Sequence, residues 1–413
     1  MTSKLQLLWV LPYSPVPVTT GGKRRVVALL RRMASTHDVY LHCSLRSETE
    51  RDALGELHDL CRGTVAVTRG GKWSLRAAQA WFARGQSYLA ALNESGGSVA
   101  SSIRRAYAGR RFDCLHVEHY YMMGPVLSAL SHSAPVLLGE QGIEYLVASR
   151  HADRRAGVAG RLWRKEVRQT RQCEERAWRQ ADRVVVVSEE DREVVMSAAP
   201  GTGVGVVPNA VELFDFPFVS REGTASPTVA FVGTFRFFGN VEAAQWLVRH
   251  VMPRVRDDVP SARLVLVGEE PPADLRAAGA WVSAKGWVPS VSLAVRDAAV
   301  MAVPLWTGSG TKLKVLEAMA LGLPVVTTPL GLEGIRAQHG THLFVGADAE
   351  SFAHAVVELL TSPQLRREVG RAARSLVEQD FSWDRAAESL VENYAAAISA
   401  FAGRRSRAPQ ATI

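Results

Sequence analysis

The chain has 413 residues, 47% of them hydrophobic, enough apolar material for two cores of about 200 residues each, which excludes a disordered protein. Its formal net charge of +8 is unevenly placed: residues before Gly201 carry 29 Lys and Arg against 20 Asp and Glu, leaving the remainder near neutral. Cys43, Cys61, Cys114 and Cys173 are too widely spaced for a disulfide framework or a cysteine-rich metal site, and no run approaches the ~18 apolar residues that span a bilayer. The apolar run Leu5 to Leu11 is too short for a signal-peptide core, so a cytoplasmic protein is expected.

In chain order the first half reads as strand Gln6 to Leu11, helix Gly22 to Met33, strand Val39 to Cys43, helix Glu48 to Leu60, strand Thr64 to Val67 and helix Trp73 to Leu92. Strands Cys114 to Val117, Val136 to Gly139 and Val184 to Val187 follow, with a long Arg-rich helix, Arg150 to Arg179, before the last of them. Val206 to Asn209 adds a short strand and a turn. Periodicity fades between Glu212 and Pro227, the expected linker.

A second alternation then begins: strands Thr228 to Val232, Ala262 to Val267, Val282 to Lys285, Val300 to Leu305, Val325 to Thr328 and Leu343 to Val345. Helices Asn240 to His250, Ala273 to Ala278, Val291 to Asp297, Thr311 to Leu321 and Ala349 to Leu360 lie among them, and a last amphipathic helix runs to about Phe401 before a basic tail expected to fray from Gly403. Alternating strands and helices predict two doubly wound α/β domains facing a cleft, residues 1–209 and 210–383, with 384–413 as a final helix and tail.

The most informative stretch is Gly308-Ser309-Gly310-Thr311-Lys312-Leu313-Lys314, running on through Glu317 to Gly322 and Pro324. It reads as strand, glycine loop, helix and strand. Free N–H groups and the positive dipole end at that helix start favour an anion, the glycines admit a ligand to the backbone, and Lys312 and Lys314 add charge. Glu317, one turn below Lys314, offers a carboxylate to ribose or sugar hydroxyls. The competing reading is a solvated helix start with a Lys/Glu pair. Two other loops follow strands: Gly21-Gly22-Lys23, suited to a phosphate or an acceptor, and Gly233 to Asn240, which offers Arg236 as a diphosphate clamp.

Basic residues gather at Lys23-Arg24-Arg25, Arg104-Arg105, Arg110-Arg111 and the Arg150 to Arg179 helix. An anionic lipid surface, a phosphorylated acceptor and a solvated face all remain open. Nucleic acid is set aside, because no binding module accompanies the charge.

Taken together, these segments resemble the family 4 glycosyltransferases of the GT-B fold. The likeness runs from Gly21-Gly22 through Val187-Ser188-Glu189, Val207-Pro208-Asn209, Phe231-Val232-Gly233, Leu266-Val267-Gly268 and the Gly308 to Pro324 block to Phe381-Ser382-Trp383. It implies an acceptor-binding first domain, a second domain holding a nucleotide-diphosphate sugar, and a last helix crossing back to the first. It further implies a metal-independent hexosyl transfer with retention, no cofactor, and a place in surface polysaccharide or lipid-linked glycan assembly. Glu317 corresponds to the second carboxylate of the family's Glu-x7-Glu motif, which binds the donor ribose. Backbone around Gly310, Thr311 and Lys312 would hold the diphosphate, with Arg236 and Lys312 stabilising the leaving group; Gly233, Gly268, Ser309 and Lys314 would belong to the same donor site, and Gly286-Trp287 would meet the base, although packing is the commoner role for such a Trp.

Two positions depart from the pattern. Ser309 stands where the first carboxylate is expected, and Glu118, with His119 beside it, stands where the family has an active-site His; both are assigned to the reaction region. A nucleotide-sugar epimerase or hydrolase of the same fold, or a non-catalytic glycan-binding protein, are the alternatives. Assaying product with and without acceptor separates the first from a transferase, and binding of nucleoside diphosphates separates the second.

Overall fold

The computed structural model describes residues 4–68, 74–94, 97–131, 133–220 and 226–407. They form two compact units, one of Met1–Pro208 with Ala386–Ile413 and one of Asn209–Arg385.

The first unit is built on β1 (Gln6–Leu11), β2 (Asp38–Leu45), β3 (Gly63–Thr68), β4 (Cys114–Glu118), β5 (Val136–Gly139), β6 (Arg183–Val186) and β7 (Val204–Val206), in spatial order β3-β2-β1-β4-β5-β6-β7. Every pairing is parallel; Leu8 faces both Tyr40 and Leu115, for example. Parallel strands are covered by helices on both faces, which is why β1 reads Leu-Leu-Trp-Val-Leu without polar alternation and why those five residues are fully buried. The second unit repeats the plan with β8 (Thr228–Val232), β9 (Arg263–Val267), β10 (Val282–Gly286), β11 (Val300–Val303), β12 (Val325–Thr327) and β13 (Phe344–Val345), in order β10-β9-β8-β11-β12-β13. In each sheet the order reverses once, between β1 and β4 and between β8 and β11. Open parallel sheets bind ligands beyond the strand ends at such reversals.

The final helix, Trp383–Arg407, joins the first unit from Ala386 onward. Its Ser389 hydroxyl donates to Val206 O at 2.8 Å, and Tyr394 is fully buried beside His116. The tail expected to fray from Gly403 is still helical to Arg407, and residues 408–413 lie outside the described residues.

Several expected helices are redrawn. The single helix Trp73 to Leu92 is two, Leu75–Ala83 and Tyr88–Glu94, broken at Gly85 with φ of 66°; Trp73 lies outside the described residues. The Arg-rich helix is also two, Glu144–Ala152 and Gly157–Gln180. Helices Ser98–Tyr107, Met123–Leu130, Glu189–Ala198 and Pro363–Asp380 stand where none was expected. The expected linker is not free: Val219 N–H donates to Leu321 O at 3.1 Å and Arg374 donates to Phe216 O at 2.9 Å, binding this segment to the second unit.

Candidate active site

In the second unit, two loops meet at the β8/β11 reversal. The first leaves β8 at Gly233, and the second leaves β11 and reaches the helix Leu313–Ala320. That helix begins two residues later than expected, because Lys312 adopts an extended N-cap conformation. Gly308 and Gly310, at φ of 127° and 68°, turn the loop in a way a side chain would strain, leaving Ser309 half-buried between them.

Lys314 is the centre of this reversal. Its Nζ donates to Asn240 Oδ1 at 2.7 Å and lies 4.9 Å from the centre of the Phe231 ring, while Asn240 Nδ2 donates to Thr234 O at 2.8 Å. Thus one lysine ties the new helix to the loop after β8. A Cβ on Gly233 would come within 2.8 Å of Lys314 Nζ, so glycine is what admits the lysine here. Burial, reinforced by the charge of Lys312 and opposed by Glu317, lowers the Lys314 ammonium to about 7. Lys312 is the more buried of the two lysines; its Nζ donates to Gly310 O and lies 3.7 Å from Glu333 Oε2. Glu317 is buried one turn below Lys314.

Arg236 sits at the rim. It is largely exposed and paired with Glu269 at 2.9 Å and Glu270 at 2.8 Å. Exposed pairs of this kind contribute about 0–1 kcal/mol, so the arginine is easily recruited elsewhere. Gly268 packs its backbone against Gly233 O and donates its N–H to Gly286 O at 2.8 Å. Trp287 does not pack, contrary to the commoner expectation: it is largely exposed beside this cluster.

The first unit's reversal, between β1 and β4, has the opposite character. Gln141, after β5, donates to Tyr13 Oη at 2.9 Å and to Glu118 Oε2 at 3.1 Å. Glu118 Oε1 lies 3.1 Å from His116 Nε2, whose Nδ1 is 2.5 Å from Tyr394 Oη. Burial alone would raise the Glu118 carboxyl, but the His116 hydrogen bond and the charges of His116, His119 and Arg25 outweigh it and hold it at about 2. Glu118 is therefore a fixed buried anion with both oxygens engaged. His119 follows it at φ of 67°, stacked on Tyr121 at 5.2 Å and edge-on to Tyr13 at 6.1 Å.

Beneath them lie more carboxyls. Glu174 accepts from the backbone N–H of Glu144 and Tyr145 at 2.8 and 2.9 Å, satisfying the start of the helix Glu144–Ala152, two bonds of about 1 kcal/mol each. Glu140 is buried with Oε1 accepting from Trp178 Nε1 at 3.2 Å; burial and the nearby Glu174 and Glu144 push its carboxyl well above the usual range. The Gly21-Gly22 loop caps its helix through Thr20 and holds the Gln141 side chain against Gly22, where a Cβ would collide with it. Lys23 is not offered to a phosphate, since its Nζ is on Glu50 at 3.1 Å. Arg25 is buried, donating to Val207 O and Pro208 O at 2.7 and 2.9 Å, so this part of the expected basic surface is internal.

Residues 19–213 match the family described as Glycosyltransferase Family 4, and residues 226–362 match Glycosyl transferases group 1. The chain belongs to the family 4 glycosyltransferases. A D-inositol 3-phosphate glycosyltransferase of Gordonia bronchialis is 34% identical over 97 residues, 23% of this chain and 21% of that protein, so the match spans about a fifth of the relative's length. Sucrose-phosphate synthase from Thermosynechococcus elongatus has the same fold, with a TM-score of 0.72 at 17% identity over 96% of this chain and all of that one. HepE of Anabaena, solved in complex with UDP-glucose, gives 0.65 at 12% identity over 95% and 99%.

In this glycosyltransferase, Gly233, Gly268, Ser309, Gly310, Thr311, Lys312, Lys314 and Glu317 stand at or beside one strand reversal, and Gly21, Gly22, Glu118 and His119 at another. Tyr13, Gln141, Glu140 and Asn240 were not assigned roles from sequence. Each stands in a loop directly after a strand or at the first turn beyond it, which is the signal that could have found them. Among the described residues, no group of three or more His, Cys, Asp and Glu is arranged to hold a metal ion, and no helix is long and apolar enough to cross a membrane.

Proposed function

We propose that this chain transfers a sugar, with retention and without a metal or cofactor, from a nucleoside diphosphate to a hydroxyl acceptor. The observation that carries the reading is the meeting of Lys312, Lys314, a helix start and Glu317 at the β8/β11 reversal. Charge grows on the diphosphate as the glycosidic bond breaks; the two lysines and the helix N-terminus stabilise it, and Arg236 leaves its weak carboxylate pair to join them. Glu317 accepts hydrogen bonds from ribose hydroxyls. Trp287 lies free to cover a base. The departing phosphate takes the acceptor proton on the same face, so no strong protein base is required, and Glu118, as a fixed anion, orients Gln141 and Tyr13 toward the acceptor.

Because HepE was solved with UDP-glucose, uridine diphosphate sugars are the first donors to test. A screen of nucleotide sugars by calorimetry, followed by product analysis with and without lipid-linked and soluble acceptors, tests the reading. Binding without transfer, with release of free sugar or an epimer, would establish the hydrolase or epimerase alternative; failure of every nucleotide to bind would leave the non-catalytic one.

We further propose that the first unit docks on anionic lipid through helices Leu75–Ala83 and Gly157–Gln180. Leu75 and Phe82, seven residues apart on one face, are 86% and 65% exposed, and Val158 and Leu162 are exposed one turn apart on the longer helix. Lys165 lies 4.5 Å from the Phe82 ring, and the same two helices and their ends carry Arg76, Arg84, Arg161, Arg164 and Arg168, all exposed. Apolar insertion flanked by arginines suits an acidic headgroup layer. Co-sedimentation with vesicles containing phosphatidylglycerol, but not with phosphatidylcholine alone, and its loss in Phe82→Asp/Leu162→Asp, is expected; equal binding to both vesicles contradicts the proposal.

A further inference from the structure

At the ends of β4 and β5, two polar atoms lie side by side without a hydrogen-bond partner: His119 Nδ1 and Glu140 Oε2, 4.0 Å apart. Their residues are only 7% and 1% exposed, so solvent does not satisfy them. Everything else about the pair is fixed. His119 N–H donates to Gly139 O at 2.8 Å and its carbonyl accepts from Met122 N–H at 3.0 Å, while Tyr121 and Tyr13 hold its ring. Glu140 N–H donates to Val185 O at 2.9 Å, and its other oxygen is on Trp178. The positive φ of His119 adds a conformation that side chains rarely adopt, of the kind that gathers at functional sites.

We propose that Glu140 is the positioning residue of His119: its carboxyl donates to Nδ1, so the ring keeps its proton on Nε2 and presents a donor to a hydroxyl or phosphate oxygen at the β1/β4 reversal. The alternative, a Glu140 carboxylate accepting from Nδ1–H, would turn Nε2 into an acceptor. Burial and the carboxyls of Glu174, Glu144 and Glu118 favour the protonated acid, with His119, just past β4, facing it. No proton changes owner. The pair stands 4.0 Å apart, and catalytic hydrogen bonds tighten in the substrate complex.

The kinetic part of the test rests on the transfer reading, and the spectroscopic part does not. Full-length protein labelled with ¹⁵N-histidine, with His119 assigned by its loss in His119→Asn, reports which ring nitrogen carries the proton. Glu140→Gln keeps a donor of the same shape; Glu140→Ala removes it. The proposal expects the Nε2–H form in wild type and in Glu140→Gln, and a mixture in Glu140→Ala. With UDP-glucose or the best nucleotide sugar found, kcat should fall about 10–100-fold in Glu140→Ala and by less than about 3-fold in Glu140→Gln, with the KM for the donor unchanged in both. Melting temperatures identify a variant that fails to fold, and Glu140→Gln then decides alone. Gln as damaging as Ala, or a His119 tautomer indifferent to both, would overturn the assignment. Wild-type inactivity with every nucleotide sugar would sink the transfer reading, and the nitrogen shifts would still judge Glu140.

Discussion

The two strand reversals of this molecule share a topology and differ in charge. At β8/β11 the loops bring a buried lysine, Lys312, a half-buried one, Lys314, and a helix start together, with Glu317 below. At β1/β4 they bring a buried anion, a carboxyl that burial pushes toward its protonated form, a histidine and a tyrosine, while Lys23 and Arg25 are spent on Glu50 and on backbone carbonyls. A doubly wound sheet supplies a crevice wherever its order reverses; the side chains one residue past each strand decide what enters it. In the proposed function the second reversal takes the diphosphate. On that reading the first takes the hydroxyl-bearing acceptor, met by side chains already paired among themselves.

The sharpest way to break this contrast is to remove the charge at the second reversal. Lys314→Met should lower kcat/KM for a nucleotide sugar about 10²–10³-fold, as loss of one transition-state donor typically does. Glu317→Ala should do so to a similar extent by weakening donor binding, and both proteins should stay folded by circular dichroism. Wild-type turnover in both would remove the proposed donor site.

At the first reversal, His119→Ala should cost about 10–100-fold in kcat while leaving UDP affinity unchanged, the range expected for loss of a single hydrogen-bonding group. Weakened UDP binding in that variant would blur the division of labour.

The pH dependence of UDP binding sharpens it further. Free Lys314 is held near 7, and a bound diphosphate raises it, so the complex holds more protons than the free protein above that point. Affinity is therefore full below pH 7 and should fall by up to about tenfold per unit above it, a dependence absent in Lys314→Met. The smallest effect is expected from Arg236→Ala, about 10-fold in kcat/KM, since the exposed arginine joins the leaving group only by giving up its pairs with Glu269 and Glu270.

How much of this could be read in advance differs by element. Both sheets were legible, because parallel strands buried on two faces are continuous apolar runs such as Val184-Val185-Val186 and Val300 to Val303. Helix Pro363–Asp380 was not: its buried face is Arg366, Val369, Gly370, Ala373 and Val377, small residues plus an arginine that donates to Leu359 O and Leu360 O. Nothing in that stripe announces an apolar face. Gly308 to Glu317 could be read because its glycines, lysines and carboxylate lie within one turn and one loop. The Lys314–Asn240 bond joins residues 74 apart, and the His119–Glu140 contact depends on β4 and β5 being neighbours. Spacing along a chain does not encode either. Lys23 and Arg25 mark the converse error, since a basic run in sequence became one ion pair and one buried anchor.

The most direct test is a calorimetric titration of UDP into wild-type protein, Lys314→Met and His119→Ala at pH 7, repeated in two buffers of different ionisation enthalpy. Wild type and His119→Ala should bind with net proton uptake, and Lys314→Met should bind far more weakly without it. Equal binding by Lys314→Met, or none by wild type, would contradict a diphosphate site at the β8/β11 reversal.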